Sequence, residues 1–265
     1  MKPFPSSTLI TPTYNWPEAL ELLLLSVRNQ TVLPDEVIVA DDGSREETSL
    51  LIKQFQQDFP VPLIHIFHED HGNRKPAIMN KALAQAKGDY IIEIDGDIIM
   101  QPNFVEDHLT FAEPGLYLFG SRVTINKEKL PELFAKKLIE FNFFSSHISK
   151  RTRALRMPWF MLFEERIDKK SSKLRGCNMS FWRKDVIEVN GFNEGLTGWG
   201  QDDSELIQRL HNIGIKGRRL KHCGIAFHIY HKEQSKTHVA HNHAIENEIT
   251  LNKVKFIEKG VSQYL

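Results

Sequence analysis

Two carboxylates separated by one glycine, Asp95-Gly96-Asp97, close the apolar run Tyr90-Ile91-Ile92-Glu93-Ile94. The β-branched content of that run predicts a buried strand. Gly96 lets the backbone bend after it without a Cβ clash. Two acids this close repel each other unless a cation lies between them or they share a proton. A divalent ion such as Mg²⁺ or Mn²⁺ on a diphosphate would meet that need through oxygen donors. An ordinary Asp-Gly turn has the same local sequence, so the rest of the chain has to decide. A second acidic pair, Asp202-Asp203, follows Gly198-Trp199-Gly200-Gln201 and precedes a helix predicted to run to about Asn212. One of these two acids could instead cap that helix.

The elements that must position these groups alternate. Strands are predicted at Thr8 to Thr11, Glu36 to Ala40 and Leu63 to Phe67, with helices at Pro17 to Arg28, Glu46 to Phe59 and Pro76 to Lys87 between and after them. Pro17 suits a first helical turn, and Leu50, Leu51, Phe55 and Phe59 have helical spacing. This βαβαβαβ order predicts an α/β fold with a mostly parallel sheet and helices on both faces. Ligands of such sheets bind beyond the C-terminal strand ends. Thr13-Tyr14-Asn15, Asp41-Asp42, His71 to Lys75 and Asp95-Gly96-Asp97 all fall at that edge. Later strands are expected at Gly176 to Trp182 and Ile225 to His231, and a packing helix at about Asn242 to Lys259.

Composition narrows the function classes. Lys+Arg and Asp+Glu both total 34, so a net charge of zero gives no electrostatic case for nucleic acid as a partner. Cys177 and Cys223 lack metal-ligand spacing and are expected to be free thiols of a reducing compartment, which fits a cytoplasmic location. No signal peptide or spanning segment is read at the N-terminus. The stretch 130–173 is set apart by Leu133, Phe134, Phe141, Phe143 and Phe144, the basic Lys150 to Arg156, and Trp159 to Phe163. The favoured reading is a helical insertion packed by its apolar face on the sheet. A peripheral membrane contact through about 130–163 and a mobile lid are the other readings.

Taken together, the segments resemble a family 2 glycosyltransferase of the GT-A (nucleotide-diphospho-sugar transferase) fold. The motifs are Pro12-Thr13-Tyr14-Asn15, Val39 to Ser44, Arg74-Lys75 with Asn80 to Leu83, and Asp95-Gly96-Asp97. Downstream, Gly191-Phe192-Asn193-Glu194 and Gly198 to Asp203 resemble the acceptor motif of β-1,4-galactosyltransferases, polypeptide GalNAc-transferases and chondroitin-polymerase-like enzymes. The resemblance covers about Thr8 to Lys232. It implies one GT-A domain over 1–265, with a nucleotide-sugar half at 1–100, an acceptor and catalytic half at 101–241, and a C-terminal helix at 242–265.

The resemblance also implies an inverting hexosyltransferase that uses Mn²⁺ or Mg²⁺. Asp97, Asp95 and His228 would hold the metal, Asp95 facing the ribose or a metal water, and His231 would touch phosphate. Thr13, Tyr14, Asp41, Asp42, Arg74 and Lys75 would frame the nucleotide. Asp203 would be the base, with Asp202 as the alternative, because the first acid of this pair is more often glutamate. Trp199 and Gly200 would meet the acceptor, the indole offering a flat face for a sugar ring. The implied donor is a UDP-sugar, and the implied acceptor is a glycan or lipid-linked sugar of cell-surface polysaccharide synthesis.

Three rivals are weighed. A nucleotidyltransferase would carry a Gly-rich phosphate loop after the first strand, where Pro12-Thr13-Tyr14-Asn15 stands. A metallohydrolase could draw on His228, His231, His238, His241 and His243, but no His-Glu-x-x-His occurs. A non-catalytic sugar-binding module would not need Asp202-Asp203 as well as the metal acids.

Overall fold

The computed structural model describes residues 3–196, 198–232 and 238–265. The chain opens with β1 (Ser7–Thr13), α1 (Pro17–Arg28), β2 (Glu36–Asp41), α2 (Glu46–Gln56), β3 (Leu63–Phe67), α3 (Lys75–Gln85) and β4 (Tyr90–Glu93). It continues through β5 (Ile98–Met100), α4 (Phe104–Thr110), β6 (Leu116–Phe119), β7 (Arg122–Ile125), α5 (Leu130–Lys136), β8 (Ile148–Ser149) and β9 (Arg166–Ile167). It closes with β10 (Met179–Trp182), α6 (Arg183–Glu188), α7 (Asp202–Asn212), β11 (Lys216–Arg219), β12 (Ala226–Ile229) and α8 (Val239–Leu251).

The larger sheet has the order β3-β2-β1-β4-β10-β6-β11-β9, and a smaller sheet has the order β5-β12-β7-β8. In the larger sheet β3, β2, β1 and β4 run parallel; β10 opposes both β4 and β6, and β11 runs parallel to β6. The C-terminal ends of β2, β1, β4, β6 and β11 therefore share one edge with the start of β10. Side chains alternate across this sheet, as strand geometry requires. Ile10, Ile38 and Ile91 face a core with α3, α6 and α7, while Leu9, Val37, Val39 and Ile92 face one with α1, α2 and α4.

Helix α1 is buried on two sides. Leu20, Leu23 and Leu24 pack on the larger sheet, and Ala19 and Leu22 pack on the smaller one. In α2 the inward residues are Thr48, Ile52 and Phe55, whereas Leu50 is 55% exposed, one step off the face its spacing predicted. The insertion is helical in part, as α5 and two stretches of 3-10 helix, Arg151–Ala154 and Pro158–Phe163. Its Leu133, Phe141 and Ile148 are buried against the smaller sheet, which is the packing the sequence favoured. The C-terminal helix is shorter than expected: α8 ends at Leu251, and Lys253 follows in the left-handed region. Both cysteines are free and buried.

Candidate active site

Strand β4 stops at Glu93, and Asp95-Gly96-Asp97 turns the chain from the larger sheet into β5 of the smaller one. A Cβ on Gly96 would lie 2.6 Å from the Pro12 carbonyl oxygen, so the turn lies directly against β1. Beside it, β12 delivers His228 and, just past its end, His231. Their Nε2 atoms lie 3.3 and 3.1 Å from Asp97 Oδ2. These are the metal-ligating side chains that cluster among the described residues. The other Asp97 oxygen, Oδ1, is buried without a hydrogen-bond partner. Burial pulls the His228 imidazole down to about 4, against the pull of Asp97, and leaves the ring neutral with a lone pair to offer. One carboxylate and two imidazoles suit Mn²⁺ and related divalent ions, so the residues present fit such an ion. Asp95 stands outside this trio. His231 stands inside it, facing Asp97 rather than open space. His238, His241 and His243 join no metal-binding group with it among the described residues.

Next to the trio, one ammonium gathers four acids. Lys75, at the first turn of α3, places Nζ 3.1 Å from Asp202, 3.3 Å from Asp203, 3.6 Å from Asp95 and 3.8 Å from Glu93. Burial works against the charged ammonium, but the surrounding carboxylates outweigh it and hold Lys75 well above its ordinary range. Burial, with repulsion from Asp203, pushes Glu93 well above the usual carboxylate range, and both its oxygens lack hydrogen-bond partners. Asp202 and Asp203 open α7. The N-cap position belongs to Gln201, so neither acid takes the capping role that the sequence left open. Burial first, then repulsion from Asp202, pushes Asp203 up to about 7 even though Lys75 opposes the rise.

The Asp203 carboxyl sits where a side chain at position 176 would be. A Cβ on Gly176 would lie 1.4 Å from Asp203 Oδ2. The loop before α7 is wound tightly, with Gly198, Gly200 and Gln201 all at positive φ. Trp199 on that loop is 48% exposed, which leaves a ring face open to solvent.

Two further elements fasten α7. Arg209 and Glu205 form a fully buried pair at 2.6 Å. Arg209 also donates to the carbonyls of Val189 and Gly191, and Asn193 donates to Glu205. From α3, Asn80 accepts from the Phe192 N–H and donates to the Phe192 carbonyl and to Glu194. Gly191-Phe192-Asn193-Glu194 therefore acts as the clasp between α3 and α7.

At the other end of the edge, Asp41 and Asp42 end β2. Asp41 Oδ2 lies 3.0 Å from His65 Nε2, and its Oδ1 accepts from the Ser44 N–H at 2.8 Å. Asp42 Oδ1 lies 2.6 Å from His68 Nε2, and its Oδ2 accepts from the Arg74 N–H at 2.9 Å. Thr13 is buried between them and the turn, and its carbonyl accepts from the Asp42 N–H. Tyr14 is 52% exposed and donates to Asp70. The structure thus gathers Asp95, Asp97, His228, His231, Lys75, Asp202 and Asp203 into one group. Along the same edge it sets Thr13 and Tyr14 at the end of the adjacent β1, and Asp41 and Asp42, with Arg74 bonded to Asp42, at the end of β2, two strands from β4.

Sequence reasoning overlooked His65, His68, Glu93 and Gly176. A detectable signal existed for His65, a polar residue facing inward on a strand adjacent to the acid-tipped β2.

Comparison with known proteins places the chain in a family. The model of glycosyl transferase family 2 matches residues 8–172, and that described as the N-terminal domain of galactosyltransferase matches residues 161–232. The chondroitin synthase of Escherichia coli is 28% identical over 239 residues, covering 83% of this chain and 34% of that protein. The chain thus spans about a third of that relative's length. Among solved structures, GalNAc-T7 with UDP, GalNAc and Mn²⁺ has a TM-score of 0.67 at 16% identity, covering 94% of this chain and 48% of that one. The mannosyltransferase PcManGT from Pyrobaculum calidifontis, in complex with GDP-Man and Mn²⁺, has a TM-score of 0.60 at 19% identity, covering 95% and 63%. These likenesses place the fold among the GT-A glycosyltransferases. Since the family 2 match runs over more than half of its length, the chain belongs to glycosyl transferase family 2.

Proposed function

We propose that the chain transfers a sugar from a nucleotide-diphospho-sugar of the UDP class to a hydroxyl of a glycan or lipid-linked acceptor, with inversion, in cell-surface polysaccharide synthesis. The observation that carries this reading is the juxtaposition of a metal-fitting trio, Asp97, His228 and His231, with an acid pair on α7 through the shared ammonium of Lys75. The likeness to the chondroitin synthase of Escherichia coli supports the polysaccharide setting.

Asp97, His228 and His231 would hold Mn²⁺ or Mg²⁺, which would neutralise charge building on the departing diphosphate. Asp41, Asp42, Thr13, Tyr14 and Arg74 would hold the base and ribose. Asp203 would take the proton of the acceptor hydroxyl as its oxygen attacks the anomeric carbon. The bond from that carbon to the diphosphate oxygen breaks, and its electron pair leaves with the nucleoside diphosphate. A single attack on the face opposite the leaving group inverts the anomeric carbon. Lys75 would hold Asp202 and Asp203 together and limit their mutual repulsion. Trp199 would stack on the acceptor ring.

Titration of UDP and of GDP with and without Mn²⁺ tests the donor reading. Tight UDP binding only with metal is the expected result, and binding of neither nucleotide overturns the reading. Nuclear magnetic resonance of the product anomer tests the single-base route, which a retained configuration would exclude.

Gly176→Ala gives a local test. The methyl meets only the Asp203 carboxyl and no backbone, so the fold should be kept. Asp203 would be turned from its position, and a misplacement of about 1 Å is enough for a loss of roughly a hundredfold in turnover. Unchanged turnover would show that Asp203 need not sit over Gly176.

No helix among the described residues is long and apolar enough to cross a membrane. Phe144, Trp159, Leu162 and Phe163 on the insertion are exposed, and they support a peripheral membrane contact at the cytoplasmic face. Flotation with anionic liposomes tests this contact, and protein that stays at the bottom of the gradient counts against it.

A further inference from the structure

Past Asp97 along the edge, away from Asp41 and Asp42, the charge changes sign. Arg122 begins β7 directly after the chain leaves β6, and its guanidinium donates to Cys177 Sγ at 3.4 Å. Arg153 donates to the Arg122 carbonyl at 3.1 Å. Lys150 follows β8, whose Ser149 pairs with Thr124 of β7. Arg175 immediately precedes Gly176, and Arg219 ends β11 opposite Phe119 at the end of β6. Five cations from four segments of chain therefore meet where β6, β10 and β11 reach the edge.

None of the five pairs with a carboxylate among the described residues, whereas Arg28, Arg156, Arg166 and Arg209 each do. Arg219 Nε is buried and has no hydrogen-bond partner. The five also feel one another. Desolvation first, then Arg219, Arg175 and Arg122, holds Arg153 below its ordinary range, and Arg153, Arg122 and Arg175 act likewise on Lys150. Burial opposes the charge on Arg122, but Cys177, Asp95 and Asp97 outweigh it and raise that group, so the repulsion left without a carboxylate beside it is the one around Lys150 and Arg153. A counter-charge from outside would relieve it, and guanidinium groups suit carboxylate and phosphate oxygens.

The strand order sets which substrate could supply that charge. Asp41 and Asp42 on β2 lie two strands to one side of β4, while β10, β6 and β11 lie on the other. Gly176, beneath Asp203, adjoins Arg175. We infer that this patch binds an oxyanion carried by the acceptor, a carboxylate or a phosphate close to the hydroxyl that reacts. The inference rests on the donor and acceptor sides assigned above.

The test uses Lys150→Gln/Arg175→Gln, since both side chains are exposed and their replacement need not disturb the core. Four probes are titrated into the metal-free protein: a tetrasaccharide ending in a uronate, its carboxyl-reduced counterpart, N-acetylglucosamine 1-phosphate, and N-acetylglucosamine. Wild type should prefer one charged probe to its neutral partner, and the double variant should bind that probe about tenfold more weakly. Preference for the uronate assigns a carboxylate, and preference for the sugar phosphate assigns a phosphate. Equal binding of charged and neutral probes, or no binding of any, overturns the inference. UDP affinity in Mn²⁺ is measured alongside. A loss of UDP affinity in the double variant would give the patch to the donor and overturn the inference. Absence of UDP and GDP binding in wild type would overturn the donor reading instead, while the anion preference is read independently of it.

Discussion

Asp203→Asn is expected to bind UDP with Mn²⁺ as tightly as wild type and to lose turnover by roughly 10²–10⁴-fold, the range that a positioned general base supplies. The amide keeps the shape of the side chain over Gly176 but has no lone pair basic enough to take the acceptor proton. The wild-type pH profile should carry the same signature. Burial and Asp202 push Asp203 up to about 7, and only the ionised carboxylate acts as base. Turnover should therefore fall about tenfold per pH unit well below 7 and level off above it. The limb that reports Asp203 should be absent from the residual activity of the variant. If Asp202→Asn abolishes turnover and Asp203→Asn does not, the base is the neighbouring residue. Equal activity of both variants with wild type would remove the acid pair from the chemistry.

Asp97→Ala should cost the protein its metal-dependent affinity for UDP, and with it measurable transfer at ordinary donor concentrations. Its carboxylate is the common neighbour of both imidazoles, so its removal leaves two ring nitrogens with no anionic ligand between them. His228→Ala should weaken the same binding less, since one carboxylate and one imidazole persist. Calorimetry with UDP at fixed Mn²⁺ reads both. An Asp97→Ala protein with undiminished UDP affinity in Mn²⁺ would move the metal elsewhere.

Much of this site was legible because strand ends announce themselves. An apolar run that halts at Asp95-Gly96-Asp97, or at Asp41-Asp42, marks both a strand and its edge, and the βα alternation brings such edges together. The tryptophan-glycine loop ahead of Asp202-Asp203 was readable only through its resemblance to the acceptor motif, since no strand end announces it. Contacts across the fold were not readable. Lys75 was expected at the nucleotide or diphosphate, yet its Nζ lies among acids up to 128 positions away. His65 could have been noticed as a polar residue within β3 beside the acid-tipped β2, whereas nothing near His68, which follows β3, shows that Asp42 stands opposite. Gly176 looked like the start of a strand, and only the approach of Asp203 gives its missing side chain a meaning. The cation patch is hidden for a similar reason, because Lys150 and Arg153 show only as part of a basic stretch until the ends of β6, β10 and β11 bring Arg122, Arg175 and Arg219 to them.

The passage of the chain from one sheet to the other has a thermodynamic consequence. Asp97 leaves the larger sheet, while His228 lies within the smaller one. Their side chains are neighbours only when the two sheets are docked, and an unfolded chain holds them 131 residues apart in sequence. An ion held by this trio would bind the native state and scarcely the denatured one. It would shift the unfolding equilibrium by about 2.7 kcal/mol when present at a hundred times its dissociation constant. Mn²⁺ alone, without any nucleotide, should then raise the melting temperature of the wild type and leave that of Asp97→Ala where it was. The same ion that serves the chemistry would act as a clamp on the tertiary structure.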